Sequence, residues 1–202
     1  MENKIIKPLK KINQRAWQRM LSGRKLDILS PSPFDIEIED IALGLSRVTR
    51  WNGQTTGKHP YSVAQHSILV EELFNIEYPG LDKRWNLAAL LHDAPEYVIG
   101  DLITPFKYAL NNSYRFVEDN LMKAIYLRFG LPAILPRHIE SKIKKIDKSL
   151  AWIEAVDLAG YKEKEASKII KKPNLNSKLQ IIVALSANDV QKKFLERFQE
   201  II

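Results

Sequence analysis

A histidine and two acidic residues interrupt an apolar segment near the middle of the chain. The apolar residues of this segment recur at i, i+3 and i+4, at Trp85, Ala88 and Ala89. His92 continues the series at i+7 and Glu96 follows four residues later, so both are predicted to share a buried helix face, with Asp93 one position round. Pro95 predicts that the helix ends or kinks at this cluster. Buried ionisable groups are costly unless they are paired or bind a metal, so the cluster needs a partner.

Two further polar residues, His66 and Asp147, lie on predicted apolar helix faces. His66 begins a series whose i+3, i+4 and i+7 positions are Leu69, Val70 and Leu73. Asp147 is surrounded at i−4, i−1, i+3 and i+4 by Ile143, Ile146, Leu150 and Ala151. Taken alone, His66 is more simply explained as a core histidine bonded to a neighbour, and Asp147 as a boundary residue paired with a lysine. Asp157 is the competing carboxylate on the same helix.

Together, two imidazoles and two carboxylates would form a nitrogen and oxygen site from His66, His92, Asp93 and Asp147. The chain contains no cysteine, so sulfur ligands are excluded. This donor set suits one divalent first-row ion such as Mn, Co, Fe, Ni or Zn, and it favours an open site with bound water over a closed structural one. Such an ion lowers the pKa of water and makes hydroxide available near neutral pH.

Other residues have side chains suited to hydrolysis of an anionic ester at such a site. Glu96, one turn beyond His92, is within reach of the water or the leaving group as a general acid or base, and Asp101 is a second candidate. Arg50 heads a polar loop and could hold a phosphate through its paired donors. Trp51 beside it is as readily explained as a core aromatic.

Composition places the chain among soluble globular proteins. It has 202 residues, of which 45% are hydrophobic and 27% charged, which fits a single domain with short extensions. No apolar run approaches the roughly 18 residues of a membrane span, and the basic N-terminus lacks a secretory apolar core, so the cytoplasm is the expected location. The net charge of +7 attracts anions. The lysines concentrate in segments 4–11, 142–148 and 162–172, which we interpret mainly as solvated faces and tails.

The periodic segments predict helices that carry these residues. Helices are predicted near 14–21, 36–48, 63–74, 85–95, 113–129, 139–159 and 179–198, with loops at 30–33 and 162–178. Ser62 and Gln65 have the spacing of a capping box at the start of the helix that carries His66. No alternating strand pattern of convincing length is present. We expect an N-terminal extension over residues 1–35, made of a tail, a short helix and a Pro-rich loop, and a helical core over 36–202.

The ordered set of His66, His92-Asp93 and Asp147 resembles the signature of the HD-domain metal-dependent phosphohydrolases. Residues 92–107 read H-D-A-P-E-Y-V-I-G-D-L-I-T-P-F-K, which is very similar to the H-D-x-x-E-x-x-x-G-D-x-x-T-P-x-K stretch of the bacterial 5′-deoxynucleotidases. The Arg50-Trp51 pair and the later V-A-Q-H-S segment resemble the same branch. The similarity covers about residues 45–160, and the fold it implies is an all-α, single-domain orthogonal helical bundle.

The resemblance implies roles position by position. It implies that the metal ligands are His66, His92, Asp93 and Asp147. It implies that Glu96 is the catalytic acid or base with Asp101 beside it, that Arg50 orients the phosphate, and that Trp51 packs on the sugar and favours 2′-deoxy substrates. The substrate-binding residues it implies are Arg50, Trp51, His66, Asp93, Asp101, Leu102, Ile103 and Thr104. We therefore expect removal of the 5′-phosphate from deoxynucleoside monophosphates by metal-activated water.

Alternatives remain open at this point. Related phage enzymes use a similar site on deoxynucleoside triphosphates, so release of triphosphate is the second enzyme hypothesis. The loop after Trp51, with Asn52-Gly53, departs from the family pattern and bears on the base and the number of phosphates. The ppGpp-hydrolase branch fits less well, because Tyr97 stands where that branch has an aspartate. A basic module that binds nucleic acid would explain the lysines only. We expect a nucleotide substrate, neither a membrane nor a specific nucleic acid as partner, and a homo-oligomer, dimer or higher.

Overall fold

The computed structural model is mostly helical. It describes residues 16–175 and 181–202, apart from the side chains of residues 104, 105, 108, 109 and 111–113. Its α-helices are α1 Ile38–Arg47, α2 Val63–Glu77, α3 Arg84–Leu90, α4 Glu96–Ile99, α5 Thr104–Arg128, α6 Arg137–Asp157, α7 Glu163–Ile169 and α8 Ala187–Ile201, and short 3-10 helices span Pro33–Asp35 and Arg50–Gly53. Two short strands, β1 Trp17–Arg19 and β2 Lys25–Asp27, pair antiparallel. The all-α prediction is confirmed.

Helix α2 lies at the centre of the fold and contacts α1, α3, α6 and α8. Its buried apolar residues occupy most of its circumference, at Val63, Ala64, Ile68, Val70, Leu73 and Phe74. A helix that is apolar nearly all round must be surrounded by other elements. Two ionisable residues of α2, His66 and Glu71, are therefore fully enclosed by neighbouring helices.

Helices α1 and α4 approach closely at Gly44. A Cβ atom at Gly44 would lie 2.8 Å from the Cβ of Tyr97 and 3.0 Å from its carbonyl oxygen. Both distances are shorter than van der Waals contact, so only glycine lets the two backbones come so near. This contact seats α4, which begins at Glu96, against the core.

The N-terminal region forms a hairpin, and the short helix predicted near residues 14–21 is wrong over its described part, residues 16–21. Met20 and Leu26 are buried, whereas Leu21 is 81% exposed. Gly23, at φ 94°, makes the turn between the strands. The prediction failed because a few apolar residues at helical spacing also suit a short strand and a tight turn, and the pairing partner of β1 lies beyond that turn.

Two further element boundaries differ from the sequence prediction. The predicted loop at 162–178 contains α7 in its described part, and α5 begins at Thr104 rather than near 113. In α7 the one buried residue is Ala166, so its apolar face was too narrow to give a helical pattern. The last helix begins at Ala187, and residues 179 and 180 of its predicted start lie outside the described residues.

The division of the chain at residues 35 and 36 stays a prediction. Met20 and Leu26 of the hairpin region belong to the same buried cluster as the helices. Ser22 also binds α1, since its backbone N–H donates to Asp40 Oδ1 at 3.0 Å. Among the helices that the structure describes, none combines the length and the apolar character needed to cross a bilayer.

Candidate metal centre and active site

Four side chains from three parts of the fold converge at one point. One ligand atom from each of His66, His92, Asp93 and Asp147 lies within 4.8 Å of the other three. The Nε2 atoms of His66 and His92 are 3.3 Å apart, and Asp147 Oδ1 lies 3.2 Å from His66 Nε2. Asp93 Oδ2 lies 3.2 Å from His92 Nε2 and 3.6 Å from His66 Nε2. The structure brings together the four residues that the sequence indicated as metal ligands.

His66 is positioned by the N-terminus of α2. The hydroxyl of Ser62 accepts a hydrogen bond from the backbone N–H of Gln65 and caps the helix. Gln65 does not complete the predicted capping box. Its side chain instead donates to the carbonyl of Val183 and accepts from the backbone N–H of Leu185. The glutamine therefore ties the first turn of α2 to the segment before α8.

The other three candidate ligands come from a helix break and from a long helix. His92 and Asp93 lie in the turn between α3 and α4, and Pro95 immediately precedes α4. The predicted end of the helix at this cluster is confirmed, since α3 ends at Leu90 and α4 begins after Pro95. The prediction that His92 and Glu96 share one helix face is wrong, because His92 lies in the turn and Glu96 begins α4. Asp147 projects from the middle of α6, with 32% of its side chain exposed.

Both histidines turn the same ring nitrogen towards the cluster. His66 Nδ1 donates to Glu154 Oε1 at 2.6 Å, and His92 Nδ1 donates to the carbonyl oxygen of Ala89 at 2.8 Å. With the hydrogen held on Nδ1, the lone pair of a neutral imidazole is on Nε2. Contacts of this kind behind the ring are usual for histidines that bind a metal.

The electrostatics of the cluster favour a cation. Burial and the charge of Arg50 act to lower the pKa of His66, but Glu154 and Asp147 outweigh them and raise it to about 9. Burial opposes ionisation of Asp93, yet His92, His66 and Arg50 hold its pKa far below its ordinary value. Burial also opposes ionisation of Asp147, but its hydrogen bond to His66 and the charge of His66 lower its pKa. Two ionised carboxylates beside two imidazole nitrogens fit a divalent first-row ion.

Glu96 and Asp101 are acids whose surroundings favour the protonated form. Burial raises the pKa of Glu96 well above its ordinary value, and the charges of Asp93 and Asp101 raise it further. Glu96 Oε1 lies 3.5 Å from Lys107 Nζ, while the buried Oε2 has no hydrogen-bond partner among the described residues. Burial also raises the pKa of Asp101, with Arg50 opposing and Asp93 adding to the effect. Neither acid is one of the four converging residues.

The loop that begins at Arg50 folds back against the end of α6. Its base is closed by a hydrogen bond of 2.9 Å from the backbone N–H of Arg50 to the carbonyl of Tyr61, and its far side by one of 2.8 Å from Thr56 N–H to the carbonyl of Leu158. Trp51 has a left-handed backbone conformation, with φ 57°. Strain of this kind costs about 1–3 kcal/mol and persists only where the surroundings hold it.

The fully buried carboxylate of Glu154 connects this loop to the cluster of four candidate metal ligands. Glu154 Oε1 accepts from Tyr61 OH at 3.0 Å and from His66 Nδ1 at 2.6 Å. Glu154 Oε2 accepts from Arg50 Nε at 3.1 Å and from Trp51 Nε1 at 3.0 Å. Although burial opposes it, the charges of Arg50 and His66 keep the pKa of Glu154 below its ordinary range. The carboxylate is therefore ionised and bonded on both oxygens.

Arg50 reaches the cluster as well as Glu154. Its side chain is 12% exposed, and Nη1 lies 3.4 Å from Asp93 Oδ2. Burial alone would lower the pKa of Arg50, but Glu154 and Asp93 raise it well above its ordinary value. The guanidinium is thus a permanent positive charge beside the candidate ligand Asp93.

A cavity of about 580 Å³ opens beside the cluster, between α5 and α6. His92 and Asp147 form the part of its wall that reaches the cluster. Its volume is in the range of about 300–1,000 Å³ that is typical of small-molecule sites. Four carboxylates and two lysines line it, namely Glu118, Asp119, Glu140, Asp147, Lys123 and Lys144.

The segment predicted to line the nucleotide pocket connects α4 and α5. Asp101 and Leu102 are half-buried and Ile103 is exposed. Thr104 begins α5, and its side chain lies outside the described part of the chain. Leu102 and Ile103 do not line the cavity between α5 and α6. Their role in substrate binding stays a prediction.

A family model described as 5′-deoxynucleotidase YfbR-like matches residues 43–160, which is more than half of the chain. The chain belongs to the YfbR-like 5′-deoxynucleotidase family. The matched range contains the whole cluster, the Arg50 loop and Glu96. The prediction of a metal-dependent phosphohydrolase that acts on deoxynucleotides is confirmed.

Three other proteins show similarity to this member of the YfbR-like family. The uncharacterized protein RCAP_rcc00048 of Rhodobacter capsulatus is 60% identical over 161 residues, which cover 80% of this chain and 82% of that protein. The uncharacterized protein YfdR of Escherichia coli is 36% identical over 101 residues, about half of each chain. The HD phosphohydrolase DatZ of cyanophage S-2L, solved with dA and one catalytic Zn²⁺ ion, has a TM-score of 0.48 and 19% identity, with 79% of this chain and 93% of that chain covered.

Sequence reasoning about this YfbR-like protein missed Glu154 and Tyr61. Glu154 lies seven residues after Asp147, which places both on the same face of α6, and that spacing is a usable signal. Asp157, the carboxylate that the sequence offered instead, accepts a hydrogen bond of 3.3 Å from the backbone N–H of Ile182 and is not part of the cluster. Tyr61 lies in a loop and gives no periodic signal.

Proposed function

We propose that this protein removes the 5′-phosphate from deoxynucleoside monophosphates and needs one divalent metal ion to do so. The observation that carries the proposal is the convergence of two histidines and two aspartates within 4.8 Å. A buried acid, Glu96, and a buried cation, Arg50, flank this cluster. These are the residue types that hydrolysis of a phosphate ester requires.

The metal would be held by Nε2 of His66 and His92 and by one carboxylate oxygen each of Asp93 and Asp147. When bound, the ion supplies a Lewis acid for phosphate oxygens and lowers the pKa of a water molecule to near neutrality. The donor set suits Mn, Co, Fe, Ni or Zn. We propose Mn²⁺ and Co²⁺ as the first ions to test.

Glu96 is proposed as the acid that protonates the leaving group. Hydrolysis forms a bond between a water oxygen and phosphorus and breaks the bond to the 5′-oxygen of the sugar, and that oxygen must gain a proton. Glu96 Oε2 is buried and has no partner among the described residues, so a proton on it is available for transfer. Lys107 Nζ, 3.5 Å from Oε1, holds the other side of the carboxyl group. Asp101 is the second candidate for this role.

Arg50 and Trp51 are proposed to recognise the phosphate and the sugar. The contact of 3.4 Å between Arg50 Nη1 and Asp93 Oδ2 is long, and a phosphate oxygen could replace it with a shorter charge-assisted bond. The indole of Trp51 follows directly in the loop and is proposed to pack against the deoxyribose. Asp101 and the segment 102–104 are proposed to contact the nucleotide from the connection between α4 and α5, outside the wall that the described residues form around the cavity between α5 and α6.

The charge of the cavity beside the cluster favours a monophosphate over a triphosphate. Apart from the candidate metal ligand Asp147, its wall carries three carboxylates against two lysines, so it has one net negative charge and disfavours a polyphosphate tail. An uncharged nucleoside suits it better, with a single phosphate at the cluster. Release of triphosphate from a deoxynucleoside triphosphate is the second candidate, because the monophosphate preference rests on this argument and on the family match.

A hydrolysis screen tests the proposal. The purified full-length protein is assayed with Mn²⁺, Co²⁺ or Zn²⁺ against dAMP, dADP, dATP and AMP, and released phosphate and triphosphate are measured separately. We expect phosphate from dAMP, less from AMP, and loss of turnover in excess chelator or in Asp93→Ala. Full activity of Asp93→Ala without metal would overturn the proposal, and triphosphate as the main product would favour the second candidate.

We also propose a cytoplasmic location and a homo-oligomer. Nucleotide substrates are found in the cytoplasm, and exposed apolar side chains such as Leu21, Phe34 and Ile134 are suited to contacts between copies. Light scattering during size-exclusion chromatography measures the oligomeric state directly. A monomer at micromolar concentration would contradict the proposed assembly without affecting the chemistry.

A further inference from the structure

We propose that Glu154 is a positioning residue which sets, through one carboxylate, both the metal affinity of the centre and its discrimination between deoxy- and ribonucleotides. The inference rests on the proposed function and names the residue that connects the metal-binding part of the site to the substrate-binding part. Glu154 acts through His66 on the metal side and through Arg50 and Trp51 on the substrate side. It is fully buried, so it touches neither solvent nor a substrate directly.

On the metal side, Glu154 Oε1 fixes the orientation of His66. The distance from His66 Nδ1 to Oε1 is 2.6 Å, and Tyr61 OH donates to the same oxygen at 3.0 Å. Because this bond keeps the hydrogen on Nδ1, Nε2 presents its lone pair to the cluster. A carboxylate behind a metal-binding histidine fixes the ring and increases its basicity.

On the substrate side, Glu154 Oε2 anchors the start of the loop. It accepts from Arg50 Nε at 3.1 Å and from Trp51 Nε1 at 3.0 Å. Trp51 has a left-handed backbone, at φ 57°, which a tryptophan adopts only when its surroundings hold it there. The bond to the indole N–H is a direct restraint on this side chain. The orientation of the ring proposed to pack on the sugar therefore depends on Oε2 as well as on the packing of the indole against Trp152, Ala155 and Ala166.

The number of donors explains why this position needs a carboxylate. Two donors converge on each oxygen of Glu154. A glutamine has one oxygen, so its NH₂ group would face either the two N–H donors of Arg50 and Trp51 or the N–H of His66, since only the hydroxyl of Tyr61 can turn to accept. Glu154→Gln must therefore break the bonds on one side. Because the negative charge is lost, it also weakens the charge-assisted bonds on the other side, while the volume of the side chain hardly changes.

Glu71→Gln is the matched control. Glu71 is also a fully buried glutamate with an arginine partner, but that partner is Arg197 on α8.

Mn²⁺ affinity is measured by titration calorimetry without substrate, and kcat and KM are measured for dAMP and AMP. We expect Glu154→Gln to weaken Mn²⁺ binding by about 10–100-fold and to lower the dAMP to AMP ratio of kcat/KM by at least about fivefold. Glu71→Gln should leave both quantities within about twofold of the wild type.

A folded Glu154→Gln variant with wild-type Mn²⁺ affinity and an unchanged dAMP to AMP ratio would overturn the proposal, since a purely structural glutamate would lower only the melting temperature. If this variant does not fold, Trp51→Phe decides the question, because it removes one donor to Oε2 and no residue of the cluster. We expect it to change the Mn²⁺ dissociation constant by at least about threefold, since loss of this donor alters both the charge and the position of the carboxylate behind His66, and unchanged binding would overturn the coupling.

The two proposals fail separately. A wild-type protein that binds Mn²⁺ but hydrolyses no nucleotide would end the proposed function. The calorimetric comparison of Glu154→Gln with Glu71→Gln would still decide whether Glu154 supports the metal centre.

Discussion

Two fully buried glutamates of this protein, Glu71 and Glu154, illustrate two uses of the same side chain. Each is paired with an arginine from another element: Glu71 with Arg197 of α8, at 2.9 Å between Oε1 and Nη2, and Glu154 with Arg50 of the loop before α2. Burial and pairing alone do not distinguish them. Both satisfy the rule that a buried charge needs a partner.

The difference lies in what else the two carboxylates bind. Arg197, the partner of Glu71, also donates a hydrogen bond to Glu200, which is exposed to solvent. The pair therefore connects α2 to α8 and extends to the protein surface. The partners of Glu154 belong to the candidate site: His66 is one of the four candidate metal ligands, and Trp51 lies in the strained loop. A buried ion pair is therefore weak evidence for function. The residues to which its partners lead are the stronger evidence.

The largest contrast is expected from removing a candidate ligand. Asp147→Asn replaces a charged oxygen donor of the cluster with an amide, and we expect kcat/KM for dAMP to fall by at least about a thousandfold, equivalent to about 4 kcal/mol. Mn²⁺ binding should be lost in calorimetry, while circular dichroism shows a folded protein. Asp157→Asn on the same helix is the control, with activity within about twofold of wild type. Wild-type turnover by Asp147→Asn would remove α6 from the metal centre.

The sequence predicted the chemistry of this site better than the structure around it. Adjacent His92 and Asp93 in an apolar helical pattern is a local signal, and so is the proline that ends the helix. Local patterns likewise predicted the main helices, because each buries an apolar face along its own length. The four hydrogen bonds that Glu154 accepts leave no local signal in the sequence. Glu154 lies 88 residues from His66 and 104 from Arg50 in the chain.

The hairpin and the strained loop could not be read from local patterns for the same reason. The three-residue strand β1 acquires its conformation from β2, and a strand of that length has no detectable period of its own. The left-handed backbone of Trp51 has no sequence signal, because a tryptophan disfavours it and the anchor is supplied by a distant helix. In both cases tertiary contacts decide the local structure.

A smaller effect of a different kind is expected at the other glutamate. Arg197→Met leaves Glu71 fully buried without its cation, and we expect the free energy of unfolding to fall by about 2–3 kcal/mol. The figure is at the low end for a buried pair because 24% of the Arg197 side chain is exposed. Urea denaturation measures it. The kcat/KM of the folded protein for dAMP should stay within about twofold of wild type, and a large loss would show that α8 influences the centre.

The smallest effect is expected from Glu200→Gln, which sharpens the assignment of stability to Glu71. Glu200 Oε2 accepts from Arg197 Nη1 at 2.8 Å, but its side chain is 64% exposed. Exposed ion pairs of this kind contribute at most about 0.5 kcal/mol, so the urea midpoint should hardly move. If Glu200→Gln cost as much as Arg197→Met, the stabilisation would come from the exposed pair, and the buried carboxylate of Glu71 would not need the arginine. If Glu200→Gln has only a small effect, the stabilisation by Arg197 comes from its pairing with the buried carboxylate of Glu71.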